Sequence, residues 1–255
     1  MNEAARLLVT VAHPDDETFG TGSVIALAVE HGAQVTVCCA TRGEAGDVRW
    51  LTSAAEIAAL REAELRSAGT ALGVAQFILL DYVDSGMTGQ PGPQTLVGAP
   101  LDDVISDVRD VVDQVKPDVV VTLDPDYGDG HRDHAAIGQA TVEACRHLPE
   151  TRVYAWTVPR TLLARWFAVL ENVRPDSEHL ELDQEGLGRS EHQITTVLDT
   201  SEVRSRREHA ISLHASQISP YEGMPADLRD EFLNTDYLVR IQPAWTGDGR
   251  EHTLF

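Results

Sequence analysis

Leu7-Leu8-Val9-Thr10-Val11-Ala12-His13-Pro14-Asp15-Asp16-Glu17 decides the fold class. Residues 7–12 form a short apolar run with β-branched members, which reads as a buried strand. The run ends at one imidazole and three carboxylates. A dinucleotide-binding oxidoreductase, whose strand pattern would be similar, needs Gly-x-Gly-x-x-Gly at that point. Here Gly20-x-Gly22 comes late and lacks the third glycine.

Outward from that run, strands and helices alternate. Residues 24–30 are helical in pattern and close at His31-Gly32, and 33–40 read as a second buried strand. Residues 56–72 give the clearest helix, with Gly73 where a left-handed residue ends helices. A third strand follows at 77–80, and then a Gly- and Pro-rich loop over 85–100. Apolar residues at 101, 104, 105, 108, 111, 112 and 115 have helical spacing. Pro117 stops that helix, and 118–123 form a fourth strand. A helix over 134–147 and a fifth strand over 153–158 complete the pattern. Beyond Pro159 the signal thins to strands at 194–198 and 237–241 and a helix near 203–214. Such alternation implies an α/β fold: a Rossmann-like, doubly wound, mostly parallel sheet with helices on both faces. With no linker or repeat in the chain, one domain over 1–255 is expected. Its motif-bearing core spans about 6–160, and 161–255 contribute pocket walls. Ligands in such sheets sit outside the carboxyl ends of the strands.

Composition narrows the function. Twenty basic and 41 acidic residues give a formal net charge of −21. That charge argues against nucleic-acid and anionic-membrane partners. Lys116 is the only lysine. Three cysteines, two of them the adjacent Cys38 and Cys39, do not make a disulfide framework. With no apolar stretch of membrane-spanning length and no signal-peptide pattern at the start, a soluble, cytoplasmic protein is expected. Oligomeric state is not encoded in these patterns.

A second polar cluster follows the fourth strand: Asp124-Pro125-Asp126-Tyr127-Gly128-Asp129-Gly130-His131-Arg132-Asp133-His134. At a helix start, the three-residue spacing of His131 and His134 puts both rings on one face. The ends of strands one and four flank the switch point of a doubly wound sheet, so the two clusters can meet. Three neighbouring carboxylates at 15–17 repel one another unless a cation is present. Imidazole nitrogens and carboxylate oxygens are the donors that a catalytic zinc takes. A bland alternative exists for each residue: Asp15 or Asp16 as a helix N-cap, Asp84 as a turn cap, and Arg61 and Glu64 as surface or inter-helix charges. Glu17 reads as a hydrogen-bond acceptor behind the cluster or a first-turn helix residue, and His214 and Gln217 as a helix-end polar cluster.

Ala12-His13-Pro14-Asp15-Asp16-Glu17, paired with His131-x-Asp133-His134, resembles the signature of the LmbE-like (PIG-L) N-acetylglucosaminyl deacetylases. Thr41-Arg42-Gly43-Glu44-Ala45-Gly46, Arg61-x-x-Glu64 and His214-x-Ser216-Gln217 resemble further family segments, so the likeness spans about residues 6–217. Asp81-Tyr82-Val83-Asp84-Ser85-Gly86-Met87 resembles the branch holding the mycothiol-pathway deacetylase and amidase. The resemblance implies that His13, Asp16 and His134 bind Zn2+, or another divalent metal such as Fe2+. It implies Asp15 as general base toward the attacking water, and His131 as oxyanion stabiliser or acid for the leaving amine. Asp84, Arg49 and Arg42 would contact substrate hydroxyls. The substrate would be a small amino sugar or acylated metabolite that loses an N-acetyl group. A zinc amidase acting on a larger thiol-conjugate or secondary-metabolite amide is the alternative within hydrolases, and a non-catalytic metal-binding protein the alternative outside them. One position departs from the mycothiol branch. Relatives there carry Tyr two residues before the first His of the second motif, where this chain has Asp129. An acidic group would repel a developing oxyanion, so either Asp129 turns away or substrate recognition differs.

Overall fold

β1 (Arg6–Val11) lies third in a seven-stranded sheet. The computed structural model describes residues 4–46, 48, 53–126 and 128–255, so Arg49 and Tyr127 lie outside the described residues. β2 (Gln34–Cys39) and β4 (Val119–Leu123) flank β1, both parallel to it. β3 (Gln76–Leu79) continues one side and β5 (Arg152–Thr157) the other, again in parallel. β7 (Thr235–Gln242) then pairs antiparallel with β5, and β6 (Thr196–Asp199) pairs antiparallel with β7 at the edge. The strand order is therefore β3-β2-β1-β4-β5-β7-β6, the expected doubly wound sheet with its switch point between β1 and β4.

Alternation along β1 explains why both faces are covered. Leu7, Val9 and Val11 pack beneath α2 (Gly22–Glu30), α3 (Ala54–Leu72) and α7 (Arg204–Leu213). Leu8 and Ala12 face α4 (Leu101–Val115) and α5 (Arg132–Cys145). The α4 stripe buries Val104, Val108, Val111 and Val112, each contributing about 1.5–3 kcal/mol relative to exposure. α3 starts at Ser53, whose hydroxyl accepts from Glu56 N at 3.2 Å. It ends at Gly73 with φ 98°, a conformation open to glycine at little cost. Cys38, Cys39 and Cys145 are buried free thiols.

Two helices add to the sequence pattern. α6 (Arg160–Val173) follows Pro159 directly, and α8 (Ala226–Asn234) precedes β7. Both join a separate apolar cluster with Val158, Leu163, Trp166, Phe167 and Leu228. α5 begins at Arg132, two residues before the expected start, because His131 caps it. Among the described residues, no helix is long and apolar enough to cross a membrane.

Candidate metal and catalytic site

The carboxyl ends of β1 and β4 bring the two polar clusters together. Asp16 heads the short helix α1 (Asp16–Phe19) and turns its carboxylate back. Its Oδ2 accepts from the backbone N–H of Ala12 (3.1 Å) and of His13 (2.8 Å). That oxygen lies 3.5 Å from His13 Nδ1, while Oδ1 lies 3.1 Å from His134 Nε2. One carboxylate thus serves two imidazoles, an oxygen to each.

The outer nitrogens of both rings are also held. His13 Nε2 donates to Asp133 Oδ2 at 3.1 Å and lies 3.4 Å from Asp84 Oδ1. His134 Nδ1 donates to Asp129 Oδ1 at 3.0 Å, an oxygen that also accepts from His131 N at 3.1 Å. Carboxylates behind metal-binding imidazoles fix tautomer and ring orientation. Asp129 therefore turns to His134 and caps the turn into α5.

His131 completes the group. Its ring stacks on His134 at 4.7 Å and meets His13 edge-on at 4.5 Å. Its Nδ1 accepts from Asp133 N at 3.2 Å. Burial, reinforced by the neighbouring charges of His13 and His134, pushes its pKa down to about 3. A neutral ring with Nδ1 committed as acceptor carries its proton on Nε2.

The electrostatics fit a divalent cation. Burial opposes charge on His13 and His134, but hydrogen bonds and attraction from Asp133, Asp16, Asp84 and Asp129 outweigh it. His13 is raised well above its usual pKa, and His134 to about 10. Asp16 is held well below the carboxylate range by the same two rings, against its burial. Protons on two rings here balance carboxylates that a bound cation would balance instead. Ligand atoms of His13, His131 and His134 lie within 4.8 Å of one another, as do those of His13, Asp84 and Asp133. Asp133 Oδ1 is buried with no partner.

Asp15 stands beside this centre in an uncommon backbone conformation, φ 129° and ψ −29°, which costs a non-glycine residue about 1–3 kcal/mol. Its N–H donates to Glu17 Oε2 at 2.9 Å. Glu17 Oε1 in turn accepts from His214 Nε2 at 2.6 Å and from the Thr18 hydroxyl at 2.6 Å. Glu17 and His214 have fully buried side chains. Arg61, on α3, holds Asp15 from the other side: its guanidinium donates to Asp15 Oδ2 (2.9 Å), Pro14 O (2.6 Å) and Gly43 O (2.8 Å). A Cβ on Gly43 or Gly46 would fall 2.3–2.4 Å from Arg61 Nη1, so both glycines make room for that side chain. Burial raises Asp15 to about 6, although Arg61 pulls it down.

The sequence pattern undervalued several of these residues. Arg61 is buried at 4% exposure and reaches the site, not the surface. Its signal lies in α3, where it shares a face with Ile57, Leu65 and Ala68. Glu64, on the same face, accepts from Ser216 N and Oγ. His214 and Ser216 are therefore buried framework behind Asp15. Arg207 is also fully buried, donating to the carbonyls of Thr18, Phe19 and Gly20 after the first motif.

Of the expected substrate contacts, Asp84 lines the cavity over the site, with Oδ1 accepting from Gly86 N at 2.8 Å. Arg42 is turned toward Glu62 and Asp81 and is not on the cavity wall. Arg49 lies outside the described residues. The cavity holds about 840 Å³, and its far wall comes from α6, the segment after it, residues 217–221 and α8.

The chain is similar to several known proteins. The model of the family PIG-L, GlcNAc-PI de-N-acetylase, matches residues 8–145. A 1D-myo-inositol 2-acetamido-2-deoxy-alpha-D-glucopyranoside deacetylase from Acidothermus cellulolyticus is 32% identical, with 98% of this chain and 94% of that protein covered. The Rhodococcus erythropolis protein of the same name is 38% identical over 85% and 82% of the two chains. Among solved structures, the N,N'-diacetylchitobiose deacetylase of Pyrococcus horikoshii superposes with TM-score 0.61 at 20% identity, covering 94% of this chain and 88% of that one. The 4-carboxy-2-hydroxymuconate hydratase of Pseudomonas putida superposes with TM-score 0.64, also at 20% identity, covering 96% and 99%. Those two likenesses concern the fold alone. With a family model spanning more than half its length and relatives above 30% identity over nearly all of it, the chain belongs to the PIG-L family.

Proposed function

We propose that this chain is a zinc-dependent N-deacetylase that hydrolyses the acetamide of a small N-acetylglucosaminyl-type substrate. The observation that carries this is the Asp16 carboxylate shared between His13 and His134, each ring backed by a second carboxylate. His13, Asp16 and His134 would hold the metal. When bound there, zinc supplies Lewis-acid polarisation of the acetamide carbonyl and acidifies water.

The rest is the work of the chain's own side chains. Asp15, held by Glu17 and Arg61, accepts the proton of the attacking water, a task suited to a carboxyl raised to about 6. His131 donates Nε2–H to the oxyanion that forms as the carbonyl is attacked. Full protonation of His131 is resisted, since a hydrogen on Nδ1 would face Asp133 N–H. The proton taken by Asp15 is returned to the departing nitrogen as the C–N bond breaks, giving acetate and a free amine. The curated relatives named above are inositol-linked glucosaminide deacetylases, which supports that substrate class.

The test is acetate release from a panel of N-acetylglucosaminides, the inositol-linked one included, by metal-stripped protein with and without added zinc. Zinc-restored release is expected. Asp15→Asn should abolish turnover while retaining metal, and His134→Ala should lose both. Turnover by Asp15→Asn would remove Asp15 as base, and full metal binding by both His13→Ala and His134→Ala would refute the ligand set.

A further inference from the structure

Two arginines lie on the described wall of the cavity, Arg61 and Arg174. Arg61 is committed: its guanidinium donates to two carbonyls and to Asp15. Among the described residues, Arg174, which follows α6, forms no side-chain hydrogen bond or ion pair, and its Nε is buried without a partner. In a chain with 41 acidic and 20 basic residues, a cation left unpaired inside a cavity calls for a cause. Asp176 and Glu178 line the same wall, and Glu222 acts on Arg174 from a distance, yet none comes within ion-pair range. The position at a helix end does not account for it either. The Arg174 backbone N–H closes α6 on Leu170 O at 2.8 Å, while the guanidinium reaches no terminal carbonyl.

Arg174 stands on the part of the cavity wall formed by the segment after α6, together with His179, and no hydrogen bond or ion pair ties it to His13, Asp15, Asp16, His131 or His134. The His179 ring lines the cavity, and Asp129, His134 and Arg174 all act on its charge. A guanidinium on that wall, apart from the His13, Asp16 and His134 group, is placed for a part of a ligand other than the acetamide. Its planar fork matches a carboxylate or phosphate through paired N–H···O bonds.

We propose that Arg174 binds an anionic oxygen group, a carboxylate or a phosphate, carried by a part of the substrate other than its acetamide. This rests on the deacetylase function proposed above, and it narrows the substrate to an acidic N-acetylglucosaminide. A neutral glycoside leaves Arg174 unpaired and is the poorer substrate.

The test uses three N-acetylglucosaminides with a propyl aglycone ending in carboxylate, phosphate or, as the neutral control, carboxamide. Zinc-loaded wild type, Arg174→Gln and Arg174→Lys are compared by KM for acetate release and by Kd from calorimetry. Wild type should favour at least one anion over the carboxamide by about tenfold, the low end for a charged hydrogen bond at a half-exposed site. Arg174→Gln should erase the preference and leave the carboxamide compound within about twofold, and Arg174→Lys should keep part of it. The better of the two anions identifies the group. Equal affinity for all three in wild type overturns the proposal. So does a preference that survives Arg174→Gln, which would mean that the anion sits on the metal. If none is deacetylated, the proposed reaction fails for this class, and the Kd comparison still decides the role of Arg174.

Discussion

Glu17→Gln isolates the device that holds Asp15. The strained Asp15 backbone costs about 1–3 kcal/mol, and the bond from its N–H to the buried Glu17 carboxylate at 2.9 Å is worth a similar about 1.5–3 kcal/mol. The conformation is therefore held by a narrow margin. Glutamine preserves shape but not charge, and a neutral acceptor is worth about 0.5–1.5 kcal/mol. The amide also meets His214 Nε2, which now donates to Glu17 Oε1 at 2.6 Å. Accommodating an N–H there moves the imidazole proton to Nδ1, which is buried with no partner. A net loss of about 1.4 kcal/mol corresponds to a tenfold smaller population of the holding conformation.

The expected outcome is a kcat about tenfold lower with KM within about twofold. Because Glu17 adjoins Asp16, metal content is measured on each sample. His214→Gln, whose amide can still donate to Glu17, should keep kcat within about threefold, and His214→Leu should fall with Glu17→Gln. A purely structural role would lower thermal stability in all three without this split. Wild-type kcat in Glu17→Gln at full metal loading, or a loss that follows metal content alone, refutes the positioning of Asp15 by Glu17.

Asp15→Asn should make the metal-stripped protein more stable at neutral pH. A carboxyl whose folded pKa is raised stabilises the fold below its unfolded value, 3.8, and that contribution is lost as pH climbs through about 6. At about 1.4 kcal/mol per pH unit, the loss amounts to about 3 kcal/mol. Removing the group removes the loss, so denaturant midpoints should separate above about pH 6 and converge near pH 4. Equal midpoints at neutral pH, or a gain that persists at pH 4, would contradict it. Asp129→Asn should weaken zinc affinity by about 10–100-fold, the usual effect of removing a carboxylate behind a ligating imidazole, with kcat at saturating zinc changed far less. Chelator competition reads the affinity, and an unchanged value would mean that Asp129 does not tune His134.

The sequence carried the parallel sheet because its central strands are buried on both faces and read as unbroken apolar runs. Residues 101–115 carried their helix because Val104, Val108, Val111 and Val112 repeat at helical spacing. The two motifs were legible because each follows such a strand. What stayed hidden depends on distance along the chain. His214 meets Glu17 across 197 positions, and no local pattern encodes that pairing. Arg61 was misjudged by residue type, although its spacing from Ile57, Leu65 and Ala68 marks the buried face of α3. α6 also carries its pattern, in Leu162, Leu163, Trp166, Phe167 and Leu170, but Pro159 interrupts the strand-to-helix rhythm just before it.

Asp129 bears on where the negative charge of the site is directed. The resemblance to the mycothiol branch implies Tyr, a neutral donor, at this position, and a carboxylate cannot take over that task. Here the carboxylate takes the Nδ1–H of His134 and the backbone N–H of His131, so its charge is directed into the His131–His134 turn. In the proposed mechanism oxyanion donation is then left to His131, whose Nδ1 is committed as an acceptor and whose Nε2–H remains. The cost is a denser negative site: Asp15, Asp16, Asp84, Asp129 and Asp133 surround three imidazoles. Charge of that density is stable only with protons or a cation at its centre. The same fold in a hydratase means that the architecture does not select the chemistry. In the proposed reaction that choice falls to the five carboxylates, with Asp15 toward the attacking water, Asp16 between the two imidazoles and three behind them.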